Sequence, residues 1–236
     1  MGVAVLGRRY AELLDAPLRA LGLKTIYLPD NPDVAPGLAG HTDLSLFMAG
    51  RELILAPYLI GSETAAELAA LGYELCFADI AQGAEYPEDC GLNACAVGDR
   101  LLCREDITAG EILRRFPPEK RVSFKQGYAG CSICAVDDSS IITADLGIAA
   151  AAERAGLSVL RIAAGGFELP GYEYGFIGGA SFKPERDKLV FTGELNEHPD
   201  KARIESFIRE RKIEPVYITR DKAIDIGGAV ILQDIL

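Results

Sequence analysis

The chain has 236 residues, 24 basic and 35 acidic, giving a formal charge of −11, and 49% of them are hydrophobic. This is a globular composition, long enough to bury a core without disulfide or metal staples. The acidic balance argues against nucleic acid or an anionic membrane surface as partner, since both demand a basic face, and a small cationic molecule is the better electrostatic match.

The elements repeat along the chain. Val3–Leu6 reads as a strand, Tyr10–Leu21 as a helix broken near Pro17, and Thr25–Leu28 as a second strand. His41–Leu55 reads as a β-hairpin, two apolar runs around a tight turn. An alanine-rich helix, Ser62–Leu71, stops at Gly72, and a short strand, Tyr73–Phe77, follows. Asp89–Cys103 is a second hairpin. Thr108-Ala-Gly-Glu111 after it has the spacing of a capping box, with Ile107 and Ile112 as its hydrophobic staple, and Arg121–Phe124 is the next strand. Tyr128–Ile142 is a third hairpin, followed by a helix from a capping Asp145 to Gly156 and by the strand Ser158–Ile162. Phe176–Phe191 is a fourth hairpin with a longer turn; Pro199 opens its helix, striped by Ile204, Phe207 and Ile208, and Val216–Thr219 is its strand. The fifth hairpin, Ile224–Leu232, is cut short.

The repeating unit is strand, strand, helix, strand, and the N-terminal elements supply what the fifth unit lacks. Gly228–Leu232 is therefore expected to pair with Val3–Leu6 and close a ring, which removes exposed sheet edges. The expected fold class is α/β: a five-unit ββαβ propeller with pseudo-fivefold symmetry, one domain over residues 1–236. No glycine fingerprint follows a strand and no phosphate-binding loop is present, which argues against a Rossmann fold. Cys131 and Cys134 form the only C-x-x-C, and His41 and His198 are the only histidines, so neither a zinc set nor a cofactor is expected. Cys95, Cys103 and Cys134 lie in apolar runs and read as core thiols, Cys90 is left open, and His198 before Pro199 reads as a helix-entry residue. The longest uncharged apolar stretch, Leu146–Ala152, is far below the about 18 residues of a membrane span. Met1–Tyr10 has its arginines after its apolar residues, unlike a secretory leader, and a cytoplasmic protein is expected.

Two short motifs stand at equivalent points of the repeat. His41-Thr42-Asp43 opens the first hairpin, and Gly127-Tyr-Ala-Gly-Cys131 opens the third, with Leu44, Leu92 and Cys131 in one column. In architecture and in these motifs the chain resembles the pentein superfamily, the α/β-propellers of guanidine-modifying enzymes, which also holds a non-enzymatic ribosome-binding factor. In those enzymes one unit carries His-x-Asp, and the unit two places onward carries a nucleophilic Cys. The resemblance implies Cys131 as nucleophile, His41 as general acid and base, and Asp43 as the group that orients the imidazole or binds a substrate N–H. The Cys unit comes last in the enzymes and third here, which implies a circular permutation.

The carboxylate motif of the preceding unit reads Asp225-Ile226-Gly227-Gly228; on a regular strand Asp225 faces the wrong side. Tyr174–Gly179 has only Glu173 nearby as an acid, while Asp89 aligns with His41, and Asn93 with Ser45 and Ser132. Asp89, Asn93, Asp225 and Glu173 are thus the candidate substrate-binding residues. His41 and Asp43, two apart on a strand, are expected to share a face and to meet Cys131 across the axis. A thiol with a pKa near ~8.5 needs a nearby cation to become a nucleophile at neutral pH, and a bound guanidinium would serve. Two readings stay open. One is a Cys-dependent hydrolase or amidinotransferase acting on a guanidine or amidine. The other is a non-catalytic protein that binds a small ligand or a partner in its axial cavity; leucine at the Cys131 column of two sister repeats favours it.

Overall fold

The computed structural model describes residues 2–233. The first apolar run forms β1 (Val3–Gly7), followed by α1 (Ala11–Ala20) and β2 (Lys24–Leu28). The first full unit is β3 (Leu46–Ala49), β4 (Glu52–Leu55), α2 (Glu63–Ala70) and β5 (Glu74–Phe77). The second is β6 (Cys95–Val97), β7 (Arg100–Cys103), α3 (Gly110–Leu113) and β8 (Arg121–Ser123). A short helix, α4 (Ala129–Ser132), opens the third, with β9 (Cys134–Asp137), β10 (Ser140–Thr143), α5 (Leu146–Arg154) and β11 (Ser158–Arg161). The fourth is β12 (Ser181–Glu185), β13 (Lys188–Phe191), α6 (Lys201–Glu210) and β14 (Glu214–Tyr217), and β15 (Val230–Leu232) ends the series.

These strands form three-stranded sheets of one design: an antiparallel hairpin, then a helical crossover to a parallel third strand. The sheet β15-β1-β2 has the same design, with its hairpin partners drawn from opposite ends of the chain. Val3 lies opposite Leu232, Ala4 opposite Ile231 and Val5 opposite Val230, antiparallel, which is the pairing expected of the two termini.

The middle strand of each sheet is apolar at consecutive positions because both of its faces are covered. Leu53 and Leu55 of β4 pack with Val3, Val5 and Leu232, while Ile54 between them packs with Leu92 and Leu101 of the next unit. Leu189 and Phe191 pack with Val136 and Ile142, while Val190 turns to Ala4 and Leu6. Each sheet is thereby wedged between two neighbours. At about 1.5–3 kcal/mol for each fully buried large aliphatic side chain, these seams supply most of the driving force for folding.

The helix ends follow their caps where the cap is real. Ser62 accepts the Ala65 N–H and Asp145 accepts the Ile148 N–H, and α2 and α5 are each followed by a glycine at positive φ, Gly72 and Gly156. Two expectations are corrected. Thr108 donates its hydroxyl to the Arg104 carbonyl and caps nothing, so α3 is a single turn starting from Ala109. Pro17 does not break α1: it sits inside a continuous ten-residue helix, whose missing N–H is offset by the burial of Leu14 and Leu18 on its inner face.

The turns that open the hairpins are hydrogen-bonded from unit to unit. Gly179 N–H donates to the Cys131 carbonyl, and Ile226 and Gly228 N–H donate to the Gly179 carbonyl. Thr42 and Asp43 N–H donate to the carbonyls of Ile226 and Gly227. The Gln82 amide bridges the Leu44 and Asp89 carbonyls, and Gly130 N–H donates to Asn93 Oδ1 at 2.6 Å. The five opening turns are thus held in one circuit. No helix among the described residues is long and apolar enough to cross a membrane.

Candidate active site

His41 and Asp43 do not lie on a strand. Thr42–Leu44 is a turn of 3-10 helix, with His41 at its extended N-terminal edge. The two side chains nevertheless converge, because Gly227 backs the turn. At φ +71°, a Cβ on Gly227 would stand 2.7 Å from both Asp43 Oδ1 and the His41 Cβ. Only a residue without a side chain admits that approach.

Cys131, in α4, meets them from the third unit. Its thiol donates to Asp43 Oδ2 at 2.8 Å and lies 3.8 Å from His41 Nδ1. The Asn93 amide N–H points at the sulfur from 3.6 Å, while its oxygen is held by the Gly130 N–H. Asp225 completes the cluster, with Oδ1 3.9 Å from His41 Nδ1. Gly130 is the neighbour that makes room: a Cβ there would sit 3.0 Å from Asp43 Oδ2.

Burial governs the electrostatics. His41 is buried, and desolvation, with the Arg9 charge as a lesser cause, pushes its pKa down to about 3, so the resting imidazole is neutral. Burial pushes Asp43 up to about 8 and Asp225 up to about 7. Hydrogen bonds pull both back, from the Cys131 thiol and Asn93 amide to Asp43, and from the Gly227 and Phe176 N–H groups to Asp225. The Cys131 thiol is raised well above its ordinary value by burial and then by Asp43 and Asp225. The cluster therefore holds protons that free side chains would release, and an entering cation lowers the cost of ionising it. His41 Nε2 and Asp43 Oδ1 are buried without a protein partner.

His41, Cys131 and Asp225 form the floor of a cavity of about 250 Å³, walled by Leu38, Leu169, Tyr128, Tyr172, Tyr174 and Phe176, with Glu173 also on its lining. Asp43 is turned away from it. Its side chain, 14% exposed, borders a second cavity on the far side of the cluster, beside Gly130, Gly178, Gly227 and Gly228. One donor atom each from His41, Asp43 and Cys131 lie within 4.8 Å of one another, so the same three side chains can hold a metal ion.

A model described as Family of unknown function (DUF6873) matches residues 5–230. The chain belongs to that family. No curated protein matches it. Among solved structures, it is similar to DDAH from Pseudomonas aeruginosa, a cysteine-to-serine mutant complexed with citrulline. The TM-score is 0.58 at 14% identity, over 98% of this chain and 97% of that one. A dimethylarginine dimethylaminohydrolase adduct with S-methyl-L-thiocitrulline matches at 16% identity over 96% of this chain and 81% of that one, with a TM-score of 0.31. The first likeness establishes a fold shared with that protein.

Of the sequence candidates, Cys131, His41, Asp43, Asn93 and Asp225 come together. Asp225 faces the site, against expectation, because it is not on a regular strand: its carboxylate accepts the Phe176 and Gly227 N–H groups, which turns it inward. Glu173 is exposed at the cavity. Asp89 stands behind the wall, accepting the Tyr128 hydroxyl at 2.6 Å and the Cys90 thiol at 3.2 Å, and does not line the cavity. Asn93 serves the thiol and Gly130, not the cavity lining. Cys103 and Cys134 are core thiols as expected, while Cys95 is only half-buried. His198 caps the entry of α6 by accepting the Asp200 N–H. The aromatic wall is what sequence reasoning missed. Its only signal was the run of aromatic residues around Tyr172–Phe176, in a segment with no periodicity.

Proposed function

We propose that the chain is a Cys-dependent hydrolase of amidine-type carbon. In this reading the five sheets are the blades of a propeller, circularly permuted relative to the guanidine-modifying enzymes. The pairing of β1 with β15 and the circuit of opening turns support that architecture. One observation carries the chemistry: the Cys131 thiol stands within reach of a carboxylate and an imidazole at the floor of an open cavity.

A cationic amidine or guanidine enters above Asp225, whose buried carboxylate, already accepting the Phe176 and Gly227 N–H groups, attracts it through charge. Its positive charge favours ionisation of the cluster, and the Cys131 proton passes to His41. The thiolate attacks the central carbon. A C–S bond forms, and the π pair of the C–N double bond moves to nitrogen. His41 delivers a proton to the leaving amine, the C–N bond breaks, and a thiouronium-type adduct remains. His41 then takes a proton from water, the hydroxide adds to carbon, and collapse breaks the C–S bond. The sum is amidine plus water giving amide or urea plus amine. An amine in place of water would make the same site an amidinotransferase.

The test is a screen of guanidines, amidines and modified arginines for ammonia or amine release. Wild type should release product, and Cys131→Ala should lose at least ~10³-fold of the rate; equal rates in both remove the mechanism. The mechanism uses no metal, so EDTA should leave the rate unchanged. A metal role would appear as loss on chelation and recovery on adding the ion back. A second reading, binding without turnover, is favoured by one fact: the groups that raise the Cys131 thiol are its burial and two acids. It predicts saturable binding with no product.

A further inference from the structure

The charges around the cavity select among amidines. Its lining carries two acids, Asp225 on the floor and the exposed Glu173, and no lysine or arginine among the described residues. Arg9, whose charge reaches His41, is already committed: its guanidinium pairs with Asp30 and donates to the Pro36 carbonyl at 2.7 Å. The walls are aromatic. Tyr174 and Phe176 meet edge to face, with centroids 6.1 Å apart. Tyr128 spends its hydroxyl on Asp89 and so has only its ring and half-buried edge left to offer a ligand. A ring face attracts a cation and repels an anion. A carboxylate in this cavity would therefore meet two acids and apolar walls, with no lysine or arginine of the lining to pair with.

We infer that the Cys131 cavity takes a monocationic amidine or guanidine on an aromatic or alkyl body that bears no carboxylate, and discriminates against guanidino acids and α-amino acids. The inference rests on the reading of this cavity as an amidine site, but not on turnover. The cationic head sits over Asp225, the body lies against Tyr172, Tyr174 and Phe176, and Glu173 repels an acidic tail.

The experiment is calorimetric titration of full-length Cys131→Ala, which binds without reacting, against a matched pair differing only in the carboxylate: butylguanidine and 4-guanidinobutanoate. Benzamidine and arginine form a second pair. The neutral-tailed member of each pair should bind at least ~10-fold more tightly, the size expected of one unfavourable charge contact. In Glu173→Gln the gap should narrow through tighter binding of the acids. Equal or tighter binding of the carboxylated members overturns the inference, as does the absence of any heat with all four ligands. Binding with the expected order in Cys131→Ala, but no product from wild type, would leave the inference standing and remove the hydrolase reading instead.

Discussion

Cys131 and Cys90 are both buried, and each thiol touches a carboxylate, Asp43 at 2.8 Å and Asp89 at 3.2 Å. Both thiols are pushed above their ordinary value, burial being the largest cause in each case. Their surroundings differ. Cys131 has His41 at 3.8 Å, an amide N–H from Asn93 and a cavity in front of it. Cys90 is closed off: Gly127 lies so near that a Cβ there would stand 2.9 Å from its sulfur, and the Tyr128 hydroxyl holds the other oxygen of Asp89. Burial beside an acid makes a thiol inert, since both effects favour the neutral form. An imidazole and an opening to a cationic ligand are what distinguish a nucleophile from a filler.

The largest expected effect breaks the pair apart. A cationic reagent such as 2-chloroacetamidine should alkylate Cys131 in preference to every other cysteine. Cys131→Ala should remove that labelling and lower any turnover by at least ~10³-fold, while Cys90→Ala should change neither by more than about twofold. Mass spectrometry of the modified peptide and a release assay check both. If Cys90→Ala abolishes the labelling as completely, the comparison fails.

Next come the groups that only Cys131 possesses. His41→Ala should cost about 10²–10⁴-fold in turnover through loss of proton transfer. Asp225→Asn keeps shape but loses charge, and should raise KM for cationic substrates more than it lowers kcat. Should both variants turn over normally, the imidazole and the second acid are structural.

These contrasts also show which parts of the molecule could be read in one dimension. The units were legible because middle strands covered on both faces spell continuous apolar runs, such as Leu53–Leu55, and glycines mark the turns. Closure through the termini followed from a unit missing its complement. His41, Asp43 and Cys131 were legible as motifs at equivalent points of the repeat. The orientation of Asp225 was not, because alternation along a strand says nothing about a residue that precedes two glycines at positive φ. Nor was the service of Asn93 to the thiol, which depends on a contact between units. Leu38, Leu169 and Tyr172 belong to connections whose placement no periodicity encodes.

A smaller effect sharpens the role of that amide. Asn93→Ala removes an N–H from the sulfur and an acceptor from Gly130 N–H. One such contact is worth about 1 kcal/mol, so alkylation of Cys131 should slow about fivefold with its pH dependence displaced upward. Asn93→Asp, which keeps the acceptor but adds an acid, should slow it further. An unchanged pH profile would assign Asn93 to loop packing alone.

The last effect is on stability. Asp43 titrates near 3.8 when unfolded and near 8 when folded, so between those values the folded chain binds more protons than the unfolded one. Stability contributed by this group must then fall as pH rises from about 4 to about 8 and level off above. Asp225, raised to about 7, adds a slope of the same sign over a slightly narrower window. Asn at position 43 does not titrate. The Tm of Asp43→Asn should therefore gain on wild type as pH rises, by about 2–4 °C between pH 5 and pH 9 for each kcal/mol recovered. Differential scanning calorimetry at both pH values reads the difference directly. A Tm gain for Asp43→Asn that is the same at both pH values would mean that Asp43 is ionised throughout. The thiol beside it would then face a permanent negative charge, and the cluster would need a bound cation at rest.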